Sequence, residues 1–485
     1  LATWQYFQVA RELGIFQLSS DPVPRPGSAQ IKLDVNAEPP WDPDPFATIV
    51  GPQKYFIRFP VMVPVVSLDS QDASVHQKAP HLARVERLDA YDDGCLNAVQ
   101  ELITTKALQD DKQPFFVMDM ERVNGIVKEW SLKMPNVQPF YSMRCNSDQV
   151  LLQLLTKNTN VGLCCSSRFE LALAMKHVGQ ERILYSNPLW TRANIRHAKQ
   201  CGVKWVVIES EDDLKRFTTY FLEANIILRV VMDPRLTEKG LISMDSLNVE
   251  KAAELLRLAK NLPLSVRADA PSPAIFSYAV AQCRRLFDIA VEMGHEMSVL
   301  DVGDGFPSVT NAYGLSFEQV ARALSAAVSL FFPQERFPHL RVIAEPGAYF
   351  ASSPYLLVTR VVDKRLIDAS LLTSDETDAG TVGYVYQINE GFYGAFGCRL
   401  ITGRNPRCSP LIAFGEKLNT YAAVYGPTTC DTDVVLPLTR LPPLQVGDWL
   451  VWYDMGAYTM GNCETLKEGE LRSAAIHYFE NTGSR

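Results

Sequence analysis

Cysteine and histidine are the residues to weigh first, because thiolates and imidazoles bind metals, act as nucleophiles and move protons. The ten cysteines include no C-x-x-C pair, and the seven histidines include no H-E-x-x-H or comparable spacing. No metal site and no disulfide framework is therefore expected, and the cysteines read as free thiols. Other candidate chemistry gathers in short polar segments punctuated by proline or glycine. These are Pro139-Phe140-Tyr141-Ser142-Met143-Arg144-Cys145-Asn146, Leu300-Asp301-Val302-Gly303-Asp304-Gly305-Phe306-Pro307, and Ile343-Ala344-Glu345-Pro346-Gly347 followed by Ala348. Further along stand Asn389-Glu390-Gly391-Phe392-Tyr393-Gly394, Tyr425-Gly426-Pro427-Thr428 followed by Thr429 and Cys430, and Met455-Gly456-Ala457-Tyr458-Thr459. Any one of them alone is a weak signal.

The elements that must position these residues follow from apolar periodicity. Eight short apolar runs are expected to be strands: Phe140 to Met143, Gly162 to Cys165, Ile183 to Ser186, Trp205 to Glu209, Ile226 to Met232, Leu264 to Ala268, Ser298 to Gly303 and Arg341 to Glu345. Each adjacent pair is separated by enough chain for a helix, and continuous apolar strands are the kind a buried parallel sheet requires. Eight alternating units predict an α/β fold, a (β/α)8 barrel over residues 112–350. After Ala348 the texture becomes β-rich, in Tyr355 to Val362, Thr381 to Ile388, Asp448 to Tyr453 and a last strand at Ala475 to Phe479. A C-terminal all-β domain over 351–485 is expected, joined by the segment 81–111. Residues 1–80 are interrupted throughout by proline and read as an extension, loosely attached or disordered, although 55–67 is too apolar to be solvated along its length.

The whole-chain numbers fit that frame. The 485 residues are 47% hydrophobic and 21% charged, ordinary globular material with room for two domains. A net charge of −8 and a pI near 5.5 argue against a nucleic-acid surface. No apolar run reaches the roughly 18 residues of a membrane helix, and residues 1–20 lack the pattern of a signal peptide. A cytoplasmic protein is expected, with neither nucleic acid nor membrane as partner.

Taken together and in order, these punctuated segments, with Ser186-Asn187-Pro188 and Val446-Gly447-Asp448-Trp449, resemble the ornithine decarboxylase and antizyme inhibitor family over roughly residues 112 to 480. The resemblance implies an alanine racemase-like barrel plus a β domain, which agrees with the periodicity. It also implies a site for pyridoxal phosphate (PLP), held by a lysine Schiff base, a glycine loop and an arginine on the phosphate, a stacked histidine, a glutamate and a tyrosine. Carried onto this chain, the glutamate is Glu345, the tyrosine Tyr458, and Gly303 and Gly305 remain of the glycine loop. The lysine position holds Arg144, the histidine position Arg267, the third loop glycine is Asp304, the phosphate arginine is Ala348, and a phosphate-contacting serine is Ala270. A guanidinium stays protonated and does not condense with an aldehyde as a lysine amine does. A carboxylate about 5 Å from a phosphate costs roughly 3 kcal/mol per unit of phosphate charge at an effective dielectric near 20.

On the substrate side the family's catalytic cysteine, supplied across a dimer interface, aligns with Thr429, and the aspartate after it with Cys430, which stands one residue out of register. A second substrate aspartate becomes Glu390, and an acid facing the lysine becomes Cys164. A lysine of the dimer contact aligns with Met244, its aspartate partner with Asp433. A regulatory protein without activity is therefore expected, similar to the antizyme inhibitors, with no cofactor, with antizyme or an active decarboxylase paralogue as partner, and as a monomer or weak dimer. The alternative is a diverged PLP-dependent decarboxylase of ornithine or another basic amino acid. The partner face implied by the resemblance carries Arg192, Arg196, His197, Lys199 and Lys204, with Trp190 and Trp205. At the barrel mouth, Arg144 is expected to neutralise Glu345, with Arg267 and Asp304 as a second pair. The chain also ends without the long tail that directs degradation in some relatives.

Overall fold

A computed structural model describes residues 93–230, 249–258, 264–268, 273–308, 315–402, 405–411, 420–428, 430–460 and 474–480. The extension expected over 1–80, Ala270, Met244 and Thr429 lie outside them, as does the side chain of Arg267.

Eight parallel strands close into a barrel: β2 (Val137–Ser142), β3 (Gly162–Cys165), β4 (Ile183–Tyr185), β5 (Trp205–Ile208), β6 (Asn225–Val230), β7 (Leu264–Ala268), β8 (Met297–Asp301) and β9 (Arg341–Ala344). Closure is made by β2 pairing with β9 as well as with β3. The two-residue period of a strand sorts the side chains. Phe140, Cys164, Leu184, Val207, Ile227, Val299 and Ile343 form one inner cluster. Their neighbours Tyr141, Leu163, Cys165, Ile183, Tyr185, Val206, Ile208, Ile226 and Leu228 join the larger core that includes helix residues. Strands buried on both faces must be apolar throughout, and this is why they are legible as continuous runs. Serine caps are recurrent among the helices: Ser167 accepts the Glu170 N–H, Ser210 the Asp213 N–H, and Ser316 forms a capping box with Gln319.

The second sheet has eight strands. Five run in the order β12 (Arg407–Pro410), β15 (Trp449–Tyr453), β10 (Tyr355–Asp368), β11 (Val382–Ile388) and β13 (Thr420–Tyr425). The path ends at β14 (Val434–Leu441), while β1 (Phe115–Asp119) pairs with β10 and with β16 (Ala475–Phe479). One expectation is corrected here. Residues 115–119, inside the range expected for the barrel, are a strand of this sheet, and the barrel itself begins at Val137. Helix α1 (Asp93–Leu108) packs on the sheet and places Cys95 and Val99 in one core with Phe115, Val117, Leu356 and Val358. The expectation that 81–111 contributes to this domain agrees with that packing for the part described.

Barrel and sheet are stitched together near the barrel mouth. Asp148, the N-cap of α3 (Gln149–Thr156), accepts the Val150 N–H and the hydroxyls of Tyr355 and Tyr478 at 2.9, 2.9 and 3.1 Å. The Tyr458 N–H donates to the Cys145 carbonyl at 2.9 Å, and Asn146 Nδ2 donates to the Gly456 carbonyl at 3.0 Å. A β-carbon at Gly456 would stand 1.9 Å from the Ala351 carbonyl oxygen, so only glycine permits this approach.

Candidate functional site

The charged residues singled out from the sequence collect at the carboxyl ends of the barrel strands, the face where barrels of this kind carry their chemistry. Arg144 follows β2, Cys164 is in β3, Asp304 follows β8 and Glu345 follows β9. Glu345 is buried, at 2% exposure. Its Oε2 accepts the Cys164 thiol at 3.2 Å and lies 3.8 Å from Arg229 Nη2. Arg229, in β6, also donates from Nη2 to the Ser186 hydroxyl at 2.7 Å and pairs through Nη1 with Glu209. Arg229 is thus one cation beside Glu345, and Arg144 is an exposed residue of the single turn Met143–Cys145. Arg229 and Glu209 lie inside strands foreseen from the sequence but neither was singled out there, although a charge within an otherwise apolar strand is a signal that could have marked them.

A second cluster forms around Asp304. The flanking Gly303 and Gly305 have φ of 73° and 102°, a region closed to most side chains. Their bend brings the Asp304 carboxylate to the Gly347 N–H, which donates to Oδ1 at 3.4 Å. The Glu345 N–H donates to the Gly303 carbonyl at 2.7 Å, tying the loop to the end of β9. Ala348 opens the short helix Ala348–Ala351 just beyond. Tyr458 reaches this cluster from the sheet domain with φ of 59°. Burial, then the neighbouring Cys145 and Asp304, push its phenol above the ordinary tyrosine range, and Arg144 pulls the other way. The Cys145 thiol is likewise raised by burial and by the Asp304 charge. Arg267 lies on β7 in register with Arg229 and Asp301.

The residues expected on the substrate side and at the dimer contact hydrogen-bond within their own loops. Glu390 Oε1 accepts the N–H groups of Gly391 and Ala395 at 2.9 and 3.2 Å. Burial raises its pKa, and those two N–H groups oppose the rise. Asp433, the aspartate expected at the dimer contact, is fully buried in its own chain and accepts from the Phe392 N–H, the Thr428 N–H and the Thr428 hydroxyl at 2.6, 3.0 and 2.7 Å. Cys430 is exposed, and contacts with Thr432 and Tyr393 at 3.0 and 3.2 Å lower its pKa.

The basic face is smaller than its composition implies. Arg192 lies over the Tyr220 ring, Lys199 pairs with Glu223 at 3.0 Å, and Trp190 is a core residue donating to the Val207 carbonyl. Arg196 and Lys204 are exposed. Lys204 immediately precedes β5, at the end of the barrel opposite Glu345. Among the described residues no group of acids, cysteines and histidines could hold a metal ion, and no helix is long and apolar enough to cross a membrane.

A closed parallel barrel joined to a mostly antiparallel sheet, with its charged groups at the strand ends, is the architecture of the fold-type III pyridoxal-dependent decarboxylases. Residues 120–352 match the family described as pyridoxal-dependent decarboxylase, pyridoxal binding domain. The chain is 33% identical to an ornithine decarboxylase of Panagrellus redivivus, over 75% of this chain and 87% of that protein. It is 28% identical to an antizyme inhibitor 2 of Xenopus laevis, over 78% and 84%. The arginine decarboxylase of Paramecium bursaria Chlorella virus, solved with agmatine, superposes with a TM-score of 0.67 at 25% identity, covering 79% of this chain and all of the other. The chain belongs to the ornithine decarboxylase and antizyme inhibitor family.

Proposed function

We propose that the chain is a catalytically inactive member of this family that regulates polyamine synthesis through a protein partner, antizyme or an active decarboxylase paralogue. The observation that carries the reading is Arg144. It occupies the turn after β2 where the family's lysine is expected, and a guanidinium supplies no nucleophilic amine. The rest of the mouth points the same way. Glu345 is engaged by Arg229 and Cys164, Asp304 brings a negative charge to the Gly347 N–H, and Ala348 offers no cation. These residues do not fit pyridoxal phosphate.

Relatives at about 30% identity are named both as ornithine decarboxylases and as an antizyme inhibitor, so kinship alone leaves both activities open. The residue chemistry supports the second. Arg196 and Lys204, exposed on the barrel flank, support a partner surface there together with Arg192 and Lys199. Titration of the purified chain with pyridoxal phosphate is expected to give no protein-bound visible absorption band. In the same preparation, antizyme or an active paralogue is expected to bind, more weakly after Arg196→Glu with Lys204→Glu. A stoichiometric cofactor band would overturn the reading.

A further inference from the structure

We propose that the Asp304 carboxylate is an internal ligand of the barrel mouth, taking the place of a bound anion and closing the loop cradle between β8 and β9 to phosphate groups. This deepens the inactive reading above and rests on it.

The backbone is shaped to deliver that side chain. Gly303 and Gly305, both at positive φ, flank residue 304, and the Gly303 carbonyl is fixed by the Glu345 N–H at 2.7 Å. The loop therefore has one course, and it aims position 304 at Gly347. There the carboxylate accepts the Gly347 N–H at 3.4 Å. The space is already shared. A β-carbon placed on Gly347 would lie 3.3 Å from Cys145 Cβ, 3.4 Å from Ser142 Cβ and 3.7 Å from Asp304 Oδ2. The turn after β2, the turn after β9 and the aspartate thus meet at one point, which Tyr458 flanks through its N–H on the Cys145 carbonyl. Burial raises the pKa values of Tyr458 and Cys145, and the nearby Asp304 charge adds to both rises.

A carboxylate and a phosphate are both acceptors of backbone N–H groups, so one can satisfy a cradle built for the other. The same charge repels a second anion. Asp304 therefore does two jobs with one group: it keeps the mouth ordered without a ligand, and it excludes phosphate esters.

Thermal melting of the full chain with added inorganic phosphate, and separately with pyridoxal phosphate, tests this. The wild type is expected to show no shift with either. Asp304→Gly is expected to melt lower and to bind phosphate at least about 100-fold more tightly than wild type, seen as a phosphate-dependent rise in melting temperature. Asp304→Asn keeps the shape and an acceptor oxygen, so it guards against simple misfolding. It is expected to melt near wild type and to gain the phosphate response. Asp304→Asn that responds to phosphate no better than wild type overturns the proposal, as does Asp304→Gly that melts like wild type. Ornithine turnover by the wild type would instead end the inactive reading beneath it, so the two failures are separable.

Discussion

Asp433 and Glu390 show how a residue expected at a site can be held by its own loops. Asp433 has three hydrogen bonds from Phe392 and Thr428 and no exposure. Asp433→Ala strands those donors and is expected to cost about 2–4 kcal/mol of stability, read as a lower urea midpoint with an unchanged slope. Glu390 carries a pH signature. Its folded pKa is raised, so its contribution is fully present below the unfolded value and is lost as pH rises through the folded one. Glu390→Gln, which keeps the acceptor for Gly391 and Ala395, is therefore expected to be more stable than wild type at neutral pH, with the difference vanishing below about pH 4. Melting temperatures of the two proteins across that range check it. Of the nine cysteines described, Cys430 alone is exposed, and its thiol is lowered while Cys398 is raised to about 11 by burial. Iodoacetamide at neutral pH is expected to alkylate Cys430 before the other eight, as mass spectrometry of timed digests would show. What sequence alone conveyed at this scale was residue identity and not direction. Arg144, Asp304 and Glu345 were legible as charges in turn-forming segments, whereas the approach of Arg229 to Glu345 depends on where a side chain points across the barrel.

At the scale of elements, the barrel strands were legible because burial on both faces favours an apolar run, as in Gly162–Cys165, which carries the expected bounds. The strands β12, β13 and β14 were not. Arg407–Pro410 and Val434–Leu441 contain proline and mix exposed with buried positions, so neither period stands out. The strand β1, apolar up to Asp119, was not singled out, and its partners lie some 240 and 360 residues further along, at Tyr355–Val358 and Ala475–Phe479. Pairing at that distance leaves no local trace. Asp148 is the joint between these elements. Asp148→Ala removes a helix cap and two tyrosine hydroxyl partners, and a loss of about 2–4 kcal/mol is expected in denaturant unfolding.

For the whole molecule, the barrel and its charged mouth place the chain in a family of decarboxylases and their inhibitors, and the side chains in that mouth support the proposed lack of activity. With Asp433 buried in its own chain, the intersubunit pair expected there has no accessible carboxylate. Sedimentation velocity is expected to show a monomer, or a dimer that dissociates on dilution. Restoring the cofactor site should require several changes together: Arg144→Lys alone is expected to stay inert, and the combination with Asp304→Gly and Ala348→Arg is the variant in which cofactor binding should return. The most direct measurement is release of labelled carbon dioxide from carboxyl-labelled ornithine by the purified wild-type chain with excess pyridoxal phosphate. No release above a protein-free control is predicted, and sustained release proportional to protein concentration would contradict the account.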